Sequence, residues 1–112
     1  MFGFQHLDVY RASAEFLAVA YRLANLVPRG LGDLSDQLRR AALSVPLNIA
    51  EASGKFTRDA SRSYVIARGS ALECAAILDA LEAIGSFAVD DLEHPRQLLE
   101  RIVSMLTKLI RS

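Results

Sequence analysis

The sequence predicts an all-α fold, an antiparallel up-down-up-down four-helix bundle in one domain spanning residues 1–112. Three observations predict it. Four stretches repeat apolar residues at alternating steps of three and four, the period of a helix. Proline, glycine and serine punctuate the gaps between them. No stretch sustains a period of two, and no Asn-Gly or Asp-Gly hairpin dipeptide occurs.

The first helix is predicted over residues 6–26. Leu7, Tyr10, Ala14, Leu17, Tyr21 and Ala24 form its leading stripe. Val9, Phe16, Ala20 and Leu23 form a second stripe that widens the apolar face. The tyrosines Tyr10, Tyr21 and Tyr64 all lie on stripes and read as core. The run Val27-Pro28-Arg29-Gly30-Leu31-Gly32 ends the segment.

The second helix is predicted over residues 34–52, capped by Asp33 or Ser35. Leu34, Leu38, Ala41, Val45, Ile49 and Ala52 make its stripe. Pro46 lies inside it, lacks an N–H and crowds the carbonyl four residues back, which predicts a kink over residues 42–46. The third helix is predicted over residues 58–84, with Thr57 as cap and Ala60, Tyr64, Ala67, Ala71, Cys74, Leu78 and Leu81 as stripe. Ala67, Gly69, Ser70, Ala71, Ala75 and Ala76 make its middle slim, so a neighbouring helix can approach closely. The fourth helix is predicted to start at Pro95 and run to Arg111, with acidic residues before it and Lys108 and Arg111 at its negative end. Leu98 or Leu99, Ile102, Met105 or Leu106, and Leu109 form its buried stripe. Several helices carry more than one apolar stripe, which leaves a face for a second subunit and predicts self-association.

Apolar residues make up 52% of the 112 and charged residues 23%, a globular composition. No apolar run approaches the ~18 residues of a membrane span, and residues 1–8 carry no secretory pattern. A cytoplasmic protein without a membrane partner is the expectation. Cys74 is the only cysteine, which excludes an internal disulfide and a cysteine-based zinc site. Thirteen basic residues balance thirteen acidic ones, which argues against attraction of nucleic acid by the whole surface. The charges are nevertheless segregated. Arg29 to Arg68 holds seven basic and four acidic residues, whereas residues 69–93 hold six acidic and no basic one. Arg39, Arg40, Lys55, Arg58 and Arg62 are the candidates for phosphate contact.

No catalytic constellation is evident, and neither a cofactor nor a small-molecule substrate is expected. Asp91 and His94 have the spacing of one metal-binding pair, without the second copy that a di-metal bundle needs. No serine sits in a Gly-x-Ser-x-Gly elbow, and there is no phosphate loop. Cys74 lies on an apolar stripe and reads as a small core residue, and His6 as a surface or cap residue. More informative are Gln37, Arg40, Ser44, Asn48 and Glu51 beside the second helix's stripe, and Arg68, Ser70 and Glu73 at the slim part of the third. Asn and Ser inside a helix lower its propensity, so they usually have a partner. Pairs such as Arg40 with Glu73, or Arg68 with Glu51, could cross between helices. These residues read as a structural polar network fixing helix register or subunit contacts, ahead of a ligand or nucleic-acid site.

The same residues carry a resemblance. Residues 34–55, LSDQLRRAALSVPLNIAEASGK, followed by residues 63–73, SYVIARGSALE, resemble the four-helix-bundle family encoded by intervening sequences in bacterial 23S rRNA genes. That family includes the accessory proteins of diversity-generating retroelements. Gln37, Arg40, Ala41, Ala42, Ser44, Val45, Asn48, Ile49, Ala50 and Glu51 match the first part of its pattern, and Ala67, Arg68, Gly69, Ser70 and Glu73 the second. Ala52 stands where the family usually has Gly, which favours a slightly longer second helix. The resemblance implies a bundle assembled as a homopentameric barrel, with no enzymatic activity and with RNA, ribosomes or a reverse transcriptase as the partner class. The neutral charge fits the intervening-sequence branch better than the strongly basic accessory proteins.

Overall fold

A computed structural model describes residues 2–111, apart from the side chain of residue 6; the expected surface or cap role of His6 lies outside the described residues. After a short 3-10 turn at Gly3–His6 come four helices: α1 (Asp8–Leu26), α2 (Gly32–Ser53), α3 (Thr57–Ile84) and α4 (Val89–Arg111). No strand occurs among the described residues. Each helix packs on two others, α1 on α2 and α4, and α3 on α2 and α4, with no close backbone approach between α1 and α3 or between α2 and α4. That is the arrangement of four helices around one core. The longest dimension, 43 Å, is about the length of α3 at ~1.5 Å per residue.

All four helices feed one apolar cluster. Its largest fully buried members are Phe16 on α1, Leu38 and Ile49 on α2, Leu78 and Leu81 on α3, and Leu92, Ile102 and Leu106 on α4. The predicted stripes of α2 and α3 face this core along most of their length. In α1 the two stripes exchange roles. Val9, Phe16, Ala20 and Leu23 are buried, whereas Leu7, Tyr10 and Leu17 are half-buried and Ala14 and Tyr21 exposed. Tyr64 is half-buried as well, so none of the three tyrosines is full core. Periodicity finds both stripes of α1 but not which one faces inward. Ala12 and Ser13, small residues beside the buried stripe, let that side sit close to its neighbours.

The helix ends also depart from expectation. α2 starts at Gly32 and α3 at Thr57, and neither has a side-chain cap; Ser35 instead donates from Oγ to the Gly32 carbonyl at 2.9 Å. α2 runs unbroken through Pro46, whose ring is buried. α4 begins at Val89, six residues before the predicted start. The earlier start brings Leu92 and Pro95 onto the buried face about two turns and one turn ahead of Leu98 and Leu99. Asp91 anchors it by accepting the Ala88 backbone N–H at 3.1 Å, the return half of a capping box. α3 stops at Gly85, at φ +89°, where Ser86 N–H reaches the Leu81 carbonyl and Gly85 N–H the Glu82 carbonyl, both at 2.9 Å. This is a Schellman closure, which uses a glycine because other residues resist positive φ.

Candidate functional site

Two features of the α2–α3 pair stand out: a polar seam between the helices and a basic groove at their connecting corner.

The seam is built from residues at helical spacing. Gln37 Nε2 donates to Glu73 Oε2. One level along, Ser70 Oγ donates to Ser44 Oγ at 2.8 Å, and Asn48 Nδ2 donates to the Ser44 carbonyl and Oγ at 2.8 and 3.1 Å. Nearer the corner, Lys55 Nζ donates to Ser63 Oγ at 3.0 Å and pairs with Glu51 at 3.0 Å. Ser70 and Glu73 are three apart and share a side of α3, so both can reach α2. Arg68 is two residues from Ser70, more than half a turn away at ~3.6 residues per turn, and faces α4. There its Nε donates to Thr107 Oγ1 at 2.9 Å, and Thr107 donates in turn to the Val103 carbonyl at 2.7 Å.

The expected pairs Arg40–Glu73 and Arg68–Glu51 therefore do not form. Glu73 is taken by Gln37, Glu51 by Lys55 and Arg68 by Thr107. Arg40 is exposed on α2 and has no hydrogen-bond or ion-pair partner among the described residues. Of the eight residues singled out for a network, Gln37, Ser44, Asn48, Ser70 and Glu73 lie in the seam, Glu51 joins through Lys55, and Arg40 and Arg68 stand outside.

At the corner, an open groove of about 960 Å³ lies between the end of α2, the first turns of α3 and the last turn of α4. Lys55, Arg58 and Arg62 line it, with Tyr64, Val65, Leu109 and Ile110 as apolar wall. Arg58 and Arg62 are exposed, one turn apart on α3, and without a partner among the described residues. The uncapped start of α3 adds the partial positive charge of a helix N-terminus. A second, smaller groove of about 420 Å³ shares Val65 and Ile110 and adds Arg68 and Arg111. On the other side of Tyr64 a third hollow is lined by Phe2, Phe4, Leu7, Ala50 and Gly54.

The five candidate phosphate contacts are divided by the structure. Lys55, Arg58 and Arg62 share the groove. Arg39 is drawn toward α1, where Nη2 donates to Asn25 Oδ1 at 2.9 Å and the guanidinium sits 5.8 Å over the Tyr21 ring. Arg40 is 15 residues from Lys55, about 22 Å along α2 at ~1.5 Å per residue. Arg111 and Phe56 were not singled out from sequence. Phe56 falls on no apolar stripe, yet an aromatic residue between Lys55 and Arg58 was a usable signal.

The site holds no evident reaction chemistry. Ser63 touches Lys55, but its hydroxyl is buried and offers no nucleophile to solvent. Burial, with Glu73 beside it, pushes the Cys74 thiol up to about 12, the opposite of an activated cysteine. His94 contacts Glu15 at 3.3 Å, and no group of three His, Cys, Asp or Glu side chains among the described residues is placed to hold a metal ion. No helix of the described chain is long and apolar enough to cross a membrane.

The surface of the same two helices is notably apolar. Leu43 and Leu47 on α2, and Val65, Ile66 and Leu72 on α3, are all exposed, Leu47 by 57%. Val65 also walls the cation groove, and Leu72 lines a hollow with Leu99 and Val103 of α4.

No curated protein matches this sequence. A protein-family model does, over residues 5–108, which takes in α1 to α3, most of α4, the seam and the three cations of the groove: the chain belongs to the family of the 23S rRNA-intervening sequence protein.

Proposed function

We propose that the protein is a non-catalytic, self-associating module, an up-down-up-down antiparallel bundle that assembles through the outer face of α2 and α3 as a homopentamer in the cytoplasm. The alternation of helix direction is supported by connections of a few residues and by the order of cross-helix contacts. Gln37–Glu73, Ser44–Ser70 and Lys55–Ser63 advance along α2 as they retreat along α3. The observation that carries the assembly is the exposed apolar set Leu43, Leu47, Val65, Ile66 and Leu72. Monomers rarely leave such side chains grouped in water. The polar seam holds α2 and α3 in one register and so presents the set as one rigid face. The number five comes from the family resemblance.

Light scattering on the purified chain tests this reading. A pentamer gives a mass of about 61 kDa, five times the 12.3 kDa chain. Leu47→Glu with Ile66→Glu should reduce the mass to that of one chain while helicity is retained. A wild-type mass of one chain sinks the assembly.

A second reading is favoured by a separate observation, the gathering of Lys55, Arg58 and Arg62 in one groove. In it, the groove takes phosphates of RNA or of a nucleoprotein. A local excess of cations is sufficient for this even when the whole chain is neutral. The Lys55→Ala, Arg58→Ala, Arg62→Ala triple variant should weaken binding and flatten its salt dependence. Unchanged affinity and slope would exclude the groove as a phosphate site.

A further inference from the structure

We propose that the α2–α3 corner takes nucleic acid as a single strand, with the Phe56 ring as the stacking surface for an unpaired base. The proposal rests on the nucleic-acid reading of the groove and narrows it to one class of ligand.

Phe56 is 92% exposed, the most exposed of the large apolar side chains among the described residues. Burying a phenylalanine side chain is favourable, and the fold leaves this one in water. Among the described residues its ring meets no other ring, unlike Phe4, which packs on Tyr10. The backbone beneath it is fixed: the Phe56 carbonyl accepts the first hydrogen bond of α3, from Ala60 N–H at 2.8 Å. The ring is thus carried into solvent from an ordered helix start.

Its neighbours along the chain are cations, and its ring stands outside the groove that they line. Lys55 precedes it, held by Glu51 and Ser63, and Arg58 follows two residues later, with Arg62 a turn beyond. From there the grooves continue past Val65 and Ile110 to Arg68 and Arg111. An aromatic face at the head of a row of cations matches a strand that offers a base and then successive phosphates. A duplex keeps its base faces stacked on one another, so only an unpaired base can use the ring.

The test is fluorescence anisotropy with the full chain, using a labelled RNA of about 12 nucleotides and a duplex of the same sequence. The single strand should bind more tightly. Phe56→Ala should weaken it by about fivefold or more, the loss expected for one stacked base, with the salt slope unchanged. Phe56→Trp should preserve binding. Arg58→Ala and Arg62→Ala should each lower the slope by about 0.7, the value for one phosphate contact on a single strand. Equal binding of both forms and an unaffected Phe56→Ala variant, with the arginine variants still weakened, would overturn the single-strand proposal and leave the groove standing. Binding of neither form at low salt would overturn both. A lower light-scattering mass for Phe56→Ala would assign the ring to a subunit contact and also overturn the proposal.

Discussion

Cys74 shows how a residue's environment decides its chemistry. Its place on the α3 stripe makes it core, and full burial then keeps the thiol protonated far above its ordinary value of 9.0. Unfolding frees it to ionise, so its contribution to stability is complete below pH 9 and is lost as pH rises toward 12. The slope is about 1.4 kcal/mol per pH unit. Denaturant titrations between pH 8 and 11 should show stability falling more steeply for the wild type than for Cys74→Ala. Parallel curves would mean the thiol is not so confined. At this scale the sequence was legible wherever a residue's face could be computed. Cys74, Ser44, Asn48 and Ser70 were placed from spacing alone. Pair partners were not legible, because they depend on the relative rotation of two helices. Arg68 was assigned to Glu51, yet a turn of α3 carries it to Thr107 instead.

Among the elements, α3 is the most fully specified by its sequence. Seven stripe positions keep step over 28 residues, and a glycine ends it at positive φ. Gly85→Ala should therefore cost about 1–2 kcal/mol, the penalty for forcing a side chain into a left-handed conformation, although no atom lies within 4 Å of the added methyl group. Gly30→Ala, equally unobstructed and free of positive φ, should change thermal unfolding little. Similar losses from both would show that helix termination at Gly85 contributes nothing special. The start of α4 was the least legible boundary. Pro95 suits a first helical position, so local rules favoured it. The gain from burying Leu92 and the Pro95 ring lies in tertiary packing and extends the helix upstream.

Across the whole molecule, charge is distributed by position in the fold. The three cations of the groove come from the basic stretch of sequence, and Arg68 and Arg111 extend them from two different helices. At the other end of α3, the acidic stretch supplies Asp79 and Glu82, both engaged by Arg96 at 2.8 and 2.7 Å. The two charge blocks seen in the linear sequence are thus used differently at two places: Asp79 and Glu82 are engaged by a cation of α4, whereas Arg58 and Arg62 stay open to solvent. Linear charge counting finds both blocks but cannot tell them apart, because neutralisation depends on a helix 14 or more residues away.

Tyr64 separates the hollow that holds Phe2 and Phe4 from the groove that holds Leu109 and Ile110. The beginning and the end of the described chain therefore pack near one residue, which makes the order in which the helices are threaded open to change. Joining residue 111 to residue 2 through a short flexible linker, and opening the chain between Gly85 and Ala88, should yield a permuted protein with the same helix content and a cooperative melt. A molten or unfolded permutant would show that the native order of synthesis is itself needed for this core to form.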